Sequence, residues 1–261
     1  MGGARALFDI LLAAVSILPW KSYFLPSQRM RPNRKQAALW CLLMGGCATA
    51  IYAVLLRWSA SDVRDDPGAL TAYLFFSLFL VMAVQTSFEF LGVSFRDDVV
   101  ERRNRGAAFT IAGLTVGVTC CVAGSSVGEG PGPEAVLFCA AISIGALLVF
   151  WGLFAAIGNV VEATVIERDT GAGIRSGAFL AGSGAVLGAS VAGDWVSLHA
   201  TVRDVARFAC PVPSASLVLA FVERRLNRRQ LVARLSSVWS AIFGMALMIL
   251  AATYAIWVAK H

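Results

Sequence analysis

Two stretches of the sequence decide the fold: ERRNRGAAFTIAGLTVG at residues 101–117 and IERDTGAGIRSGAFLAG at residues 166–182. When the chain is shifted by 65 residues it overlays itself, and the second stretch falls on the first. Each stretch places a charged turn before a run of glycine, alanine and larger apolar residues. Because the offset is long enough for two helices, the sequence predicts two parallel copies of a two-helix unit, residues 69–128 and residues 135–193.

Apolar residues are abundant and clustered along the whole chain. They make up 58% of the 261 residues and charged residues only 15%, against about half and about a quarter in a soluble domain. Runs of about 20 apolar residues match the length that a helix needs to cross ~30 Å of hydrocarbon, whereas lipid-exposed strands or loops would leave backbone groups unpaired. We therefore predict one all-α membrane domain over residues 1–261, a transmembrane helix bundle of about seven spans, within a range of about six to eight. The clear spans are 37–56, 69–95, 106–127, 135–161, 171–192 and 235–259.

Two further segments do not fit a simple span. Residues 205–222 contain Pro211 and Pro213, and because proline removes a helix donor and kinks the helix, a discontinuous or re-entrant seventh span is predicted. Residues 6–20 are short for a span. Asp9 interrupts them and no small-residue cleavage site follows, so they are either a signal anchor or a helix lying in the membrane interface. The remaining parts of the domain are the N-terminal helix with its basic loop at 1–36 and the C-terminal helices at 205–261.

The basic residues indicate an orientation in the membrane. Of the 22 Lys and Arg residues, 16 fall in four connections, and such an excess is typical of cytoplasmic loops. Residues 205–222 must then cross, because the basic block that follows them would otherwise lie outside. We predict a multi-pass protein of the bacterial inner (plasma) membrane with its C-terminus outside. The net charge of +6 is explained by these loops and does not indicate nucleic-acid binding. The predicted cytoplasmic loops are 21–36, 96–105, 162–175 and 223–234.

The repeat junctions resemble those of a known family. The motif ERRNRGAA before the first Gly-rich span, with IERDTGAGIR before the second and AGDW at its end, resembles the bacterial membrane family called domain of unknown function 350, which includes the YjfL-like proteins. The resemblance covers about residues 70–195 and implies tandem helix pairs with an Asn-x-Ala-Ala type junction. The second copy departs from this pattern at Asp169 and Gly173. The resemblance implies a fold and a location and carries no settled activity.

Small residues recur at four-residue spacing in both Gly-rich spans. Such faces let membrane helices approach closely. We predict that the helices at 106–127 and 171–192 pack inside the bundle, where they can contact each other, and a substrate path lined by glycines is the alternative. The helix-packing glycines are Gly113, Gly117, Gly124, Gly128, Gly173, Gly177, Gly184 and Gly188.

The cytoplasmic repeat junctions form a first candidate site. Asn104 and Asp169 precede the Gly-rich spans, where a side-chain oxygen caps a helix by accepting from its free N–H groups. Arg103 and Arg168 precede them in turn. Because helix N-termini favour anions, a phosphate or a lipid headgroup is a candidate ligand. The alternative is an ordinary capped, positively charged loop, since nearby acidic residues offset the charge.

Two charged residues interrupt apolar spans where the two copies differ. Glu89 falls opposite Phe154 in the overlay, and Arg175 falls opposite Thr110. At 1.5 Å per residue both lie about 10 Å from the cytoplasmic end of their span, and a lone charge inside a membrane is costly. We predict an intramembrane ion pair of Glu89 with Arg175, which either fixes the helices or responds to protons or ions in a conduction path. In a third alternative Arg175 reaches the interface, and Glu89 faces a water-filled crevice or is protonated.

We predict no catalytic set, cofactor or metal site. The sequence contains none of the common nucleophile, phosphate-binding or zinc-protease motifs, and its cytoplasmic loops are too short for an enzyme domain. The two histidines, His199 and His261, are not at ligand spacing from a cysteine pair. The six cysteines lie in or beside apolar runs, where we expect them to be reduced.

These observations leave two predicted functions. The first is a small transporter or ion-conducting protein, which the parallel repeat and the intramembrane charges favour. The second is a non-catalytic scaffold or an accessory subunit of a larger complex, which the small-residue faces and short loops favour. The predicted partners are membrane lipids, with a homo-oligomer or a partner membrane protein as a further class.

Overall fold

In the computed structural model, the described residues, which are 34–130, 132–228 and 237–258, form helices joined by short turns, and no strand occurs among them. The all-α prediction is confirmed. Residues 6–20, predicted to form an interfacial helix or a signal anchor, lie outside the described residues. Apart from a four-residue helical turn at Ser61–Arg64, the α-helices are α1 (Arg34–Trp58), α2 (Pro67–Ser87), α3 (Arg105–Ser125), α4 (Pro133–Gly158), α5 (Thr170–Val191), α6 (Leu198–Phe208), α7 (Pro211–Arg228) and α8 (Ser237–Val258).

Six of these helices, α1 to α5 and α8, are long and apolar enough to cross a membrane. Helices α6 and α7 meet at a bend of 42° and count as a seventh span when they are taken together. Pro211 is the first residue of α7, where proline is tolerated because the first amides of a helix have no partner within it. The predicted discontinuity in residues 205–222 is therefore a break between two helices.

Two predicted spans are longer than the helices that form. Helix α2 ends at Ser87, a 3₁₀ turn follows at Phe88–Leu91, and Gly92 has a left-handed backbone with φ of 93°. Helix α4 ends at Gly158, and the left-handed residue there is Asn159, with φ of 53°. The predicted spans followed hydropathy alone, whereas Gly92 and Asn159 are residue types that commonly end helices in this way. A π-helical segment follows each turn, at Phe95–Glu101 and at Glu162–Ile166.

Helices α3 and α5 are the two most buried spans, and their backbones are in contact. A Cβ atom added at Gly113 would collide with the backbone of Gly177, and one added at Gly124 with that of Gly188, both closer than the 3.0 Å that real Cβ atoms keep. The prediction that these helices pack inside the bundle is confirmed, and backbone contact leaves no room for a substrate path between them. The same close approach to the partner helix, or to the turn after it, holds at all eight predicted glycines: Gly113, Gly117, Gly124, Gly128, Gly173, Gly177, Gly184 and Gly188.

Helix α8 packs along α5 in the same direction. A Cβ atom added at Gly171 would meet Ser240, and one added at Gly182 would meet Ala251. Residue numbers therefore increase in the same direction along the two helices. Helices α6 and α7 connect the end of α5 to the start of α8. Helix α7 therefore runs antiparallel to both helices and returns the chain to the end of the bundle where α5 begins.

The two ends of the bundle differ in character. The junction end, which we define by residues 102–105 and 167–170, holds the starts of α3 and α5. The distal end, which we define by residues 126–130 and 192–197, holds backbone hydrogen bonds between the turns that follow these helices. There the N–H of Trp195 donates to the carbonyl of Glu129 at 2.8 Å.

Candidate functional site

Helix α5 carries a buried arginine where it meets α7 and α8. Nε and Nη2 of Arg175 donate to the two carboxylate oxygens of Glu223, at 2.8 Å for the Nη2 bond, and Nη1 donates to Oγ of Ser240 at 2.6 Å. Arg175 is 6% exposed and Glu223 is 1% exposed. Such two-pronged, charge-assisted pairs are strong and directional. These three residues, which we call the Arg175 cluster, link three helices.

Two glycines make room for the Arg175 cluster. A Cβ atom added at Gly171 would lie 2.8 Å from Oγ of Ser240 and 3.1 Å from Nη1 of Arg175, and one added at Gly158 would lie 3.3 Å from Cβ of Glu223. The ion pair is therefore closely packed and has lost its hydration. A buried charge in such surroundings depends on its partner, because an uncompensated charge there is strongly destabilising.

The structure corrects the predicted ion pair of Glu89 with Arg175. Glu89 is exposed and lies in the 3₁₀ turn beyond the end of α2. Its neighbour Phe88 is the buried residue of that turn and packs on Trp151, with ring centroids 5.2 Å apart. The prediction paired Glu89 with Arg175 because both lie at a similar depth in the membrane. Depth does not determine the direction in which a side chain points from its helix. Because the α-helical path stops before Glu89, that side chain turns outward, and Arg175 meets Glu223 instead.

Sequence reasoning missed Glu223 and Ser240. It assigned Glu223 to the basic loop at 223–234, whereas α7 continues through this residue. A signal was present, because Glu223 follows Ala220 and Leu219 by three and four residues, which places all three on one face of a helix. That face is the buried one. Ser240 carries no comparable signal, since small hydroxyl residues are common in membrane helices.

A cavity of about 580 Å³, which is a wide cleft open to the outside of the bundle and not an enclosed chamber, lies between α5, α7 and α8, on the distal side of the Arg175 cluster. Its walls are mostly apolar, and Ser183, Thr253 and Tyr254 are among its lining residues and carry hydroxyl groups. Phe179 also lines it and lies one turn, about 6 Å along the helix axis, from Arg175. The Arg175 cluster is therefore next to the junction end of this cavity.

The two predicted capping residues both cap their helices. Oδ1 of Asn104 accepts from the N–H of Gly106 at 2.9 Å, and Oδ1 of Asp169 accepts from the N–H of Gly171 at 2.8 Å. Asn104 also uses its amide Nδ2 to donate to the carbonyl oxygen of Thr164 at 2.7 Å. The capping prediction is confirmed. The bond to Thr164 also links the start of α3 to the π-helical segment that precedes α5.

The two junction arginines share one unusual conformation. Arg103 and Arg168 are exposed, and both have left-handed backbones, with φ of 51° and 57°. Non-glycine residues seldom adopt this conformation, and here it separates the π-helical segment from the capping residue that follows. The two left-handed arginines are 65 residues apart, which is the offset that overlays the sequence on itself. The duplication of the unit itself stays a prediction.

No protein-family model matches the chain, and comparisons with curated proteins and with solved structures found no match. The class of the protein is therefore defined by its helices. Six or seven of them, among the residues that the structure describes, are long and apolar enough to span a bilayer, which is the architecture of a multi-pass integral membrane protein. The resemblance to domain of unknown function 350 stays a hypothesis.

Proposed function

We propose that this protein moves a small solute or an ion across the membrane through the space between α5, α7 and α8. The observation that carries the proposal is a buried ion pair, Arg175 with Glu223, beside a cavity of about 580 Å³. Ionisable residues inside membrane bundles are costly, and they are typical of ion and proton pathways. The junction end is taken as cytoplasmic, as the distribution of basic residues predicts.

In this proposal the Arg175 cluster closes the cytoplasmic side of the path. A solute enters the cavity from the distal end and meets the hydroxyl groups of Ser183 and Thr253. Passage requires α7 to move away from α5, so that Arg175 and Glu223 exchange their mutual hydrogen bonds for water or solute. The 42° bend between α6 and α7 supports such a movement, since discontinuous helices line the binding sites of many transporters.

Flux into proteoliposomes tests the proposal. The purified full-length protein is reconstituted, and fluxes of H⁺, Na⁺, K⁺ and Cl⁻ are compared with those of empty liposomes. We expect at least one flux to rise. Glu223→Gln removes the buried negative charge with little change of shape, and we expect it to change that flux by about tenfold or more, equivalent to roughly 1.4 kcal/mol of barrier height.

Glu89→Gln is the matched control, because it makes the same chemical change at an exposed acid. We expect it to leave the flux unchanged. Conduction of these ions is excluded if correctly folded protein carries none of them, and a role of the Arg175 cluster in the path is excluded if the two substitutions alter the flux equally.

A scaffold or an accessory subunit is the second candidate function. Gly145 and Gly152 of α4 have no atom within 4 Å of an added Cβ. The exposed Ala141 and Ala156 lie four residues before Gly145 and four residues after Gly152, on the same face of the helix. Such a face lets another membrane helix approach closely. If assembly is the function, Gly145→Leu combined with Gly152→Leu will weaken association measured by chemical cross-linking in membranes. Unchanged association would remove this candidate.

A further inference from the structure

A second open space, separate from the transport path, lies at the junction end between α1, α3, α5 and α8. It is a groove of about 1110 Å³. Its walls are largely apolar and contain two aromatic rings, and they extend from the start of α3 toward the middle of the bundle. The apolar walls include Leu39, Trp40, Leu43, Ala108, Phe109 and Ile174.

The mouth of this groove is basic. Lys35 of α1 lines it together with Arg103 and Arg105 at the start of α3, and no acidic residue is among the described residues that line it. Arg103 and Arg105 are exposed. Within the described part of the chain neither of them forms an ion pair. The N-termini of α3 and α5 meet at the same mouth and add partial positive charge.

Two of the acids that precede α3, Asp98 and Glu101, are engaged in other contacts. Oδ1 of Asp98 accepts from Arg102 at 3.1 Å, and its Oδ2 accepts from the N–H of Ser94 at 2.9 Å. Glu101 pairs with Arg96 at 3.5 Å. The positive charge of Arg103 and Arg105 is therefore not neutralised by Asp98 or Glu101.

We propose that this groove binds an anionic glycerophospholipid, whose phosphate lies between Lys35, Arg103 and Arg105 and whose acyl chain follows the apolar wall. Basic side chains at a membrane surface attract anionic lipids. From Arg105 to Ala112 the wall extends about 10 Å, about a third of the ~30 Å hydrocarbon core. The groove thus holds the headgroup and the first part of one acyl chain, and the rest of the lipid lies in the bilayer.

The parts of the chain outside the described residues complement the mouth less well than an anionic lipid does. Residues 1–33 contain four Lys or Arg residues and one Asp, and residues 229–236 contain two Arg and no acid. Both segments are basic, so they would add positive charge to the mouth rather than neutralise it. Charge complementarity therefore favours an anion that comes from the membrane.

Native mass spectrometry of the delipidated full-length protein in detergent tests this proposal. Phosphatidylglycerol and phosphatidylcholine with the same acyl chains are titrated separately. We expect the wild-type protein to bind phosphatidylglycerol more tightly. Arg103→Gln combined with Arg105→Gln is expected to weaken that binding about 30-fold, since each basic side chain contributes roughly fivefold at an anionic headgroup.

Two further variants distinguish a specific lipid-binding site from unspecific electrostatic attraction. Arg224→Gln combined with Arg225→Gln removes the same charge from two exposed arginines of α7, and we expect it to leave the affinity nearly unchanged. Ala112→Trp fills the apolar wall without changing the charge, and we expect it to weaken binding in protein whose melting temperature is normal.

Four results would overturn the proposal. The first is equal affinity for the two lipids, and the second is an equal loss in the α7 control variant, which would indicate unspecific charge attraction. The third is competition by inorganic phosphate that is as strong as that by phosphatidylglycerol. The fourth is cross-linking of residues 1–33 into the groove in place of lipid.

Discussion

At the scale of single residues, the buried charge of Arg175 makes the stability of the fold depend on the partners of one side chain. Its guanidinium binds both carboxylate oxygens of Glu223 and the hydroxyl of Ser240. A buried ion pair adds little net stability compared with apolar residues of similar size, because both ions lose hydration. The loss of one partner is the costly event, since it leaves a single buried charge.

A double-mutant cycle measures this dependence. Arg175→Met or Glu223→Leu alone is expected to lower the free energy of unfolding by about 3–5 kcal/mol, and the two together are expected to recover most of that loss. The measurement is reversible unfolding of the purified protein in mixed micelles. Glu89→Gln, at an exposed site, should stay within about 0.5 kcal/mol of wild type. Losses that simply add would show that Arg175 and Glu223 do not interact.

The two capping residues allow a reciprocal exchange. Asn104→Asp keeps the acceptor that caps α3 but removes the amide that donates to Thr164, so we expect a loss of about 1–3 kcal/mol in unfolding free energy. Asp169→Asn keeps the cap on Gly171 and breaks no other bond in the described structure, so it should be nearly neutral. If thermal melting of the two variants were the same, the bond from Asn104 to the second junction would contribute nothing.

At the scale of helices, the contact between α3 and α5 could be predicted from the sequence. Glycine spacing and capping residues are local patterns that can be read from the sequence, and here they occur in both Gly-rich spans. The partner of Arg175 could not be predicted, because depth along a helix leaves the direction of the side chain open. The end of α2 before Glu89 was missed for a related reason, since three of the four residues in the 3₁₀ turn are apolar and hydropathy does not separate such a turn from a helix. The groove at Arg103 and Arg105 depends on four helices that are distant in sequence.

The same substitution at two glycines tests the close contact of these helices. Gly177→Val places a branched side chain against the backbone of α3, and we expect it to lower the free energy of unfolding by about 3 kcal/mol or more. Gly145→Val on α4 meets no atom within 4 Å and should change it by about 0.5 kcal/mol or less. Unfolding in mixed micelles compares them directly. Equal effects would mean that α3 and α5 are not in backbone contact.

At the scale of the whole molecule, the path of α7 determines where the Arg175 cluster, the cavity and the basic residues of α7 lie. Helices α5 and α8 are parallel, so the chain must return between them, and α7 is the helix that does so. This return brings Glu223 to Arg175 and forms one wall of the cavity. It also places Arg224 and Arg225 at the junction end with Arg103 and Arg168, and the charge distribution predicts that these basic residues share one side of the membrane.

Sided cysteine labelling measures this crossing most directly. In a protein whose six native cysteines are replaced, single cysteines are introduced as Arg168→Cys, Arg225→Cys and Val196→Cys, and each reacts with a membrane-impermeant maleimide in oriented vesicles. If α7 crosses the membrane, Arg168→Cys and Arg225→Cys are labelled from one side and Val196→Cys from the other. Labelling of Arg225→Cys together with Val196→Cys would contradict the crossing, because Glu223 could not then reach Arg175.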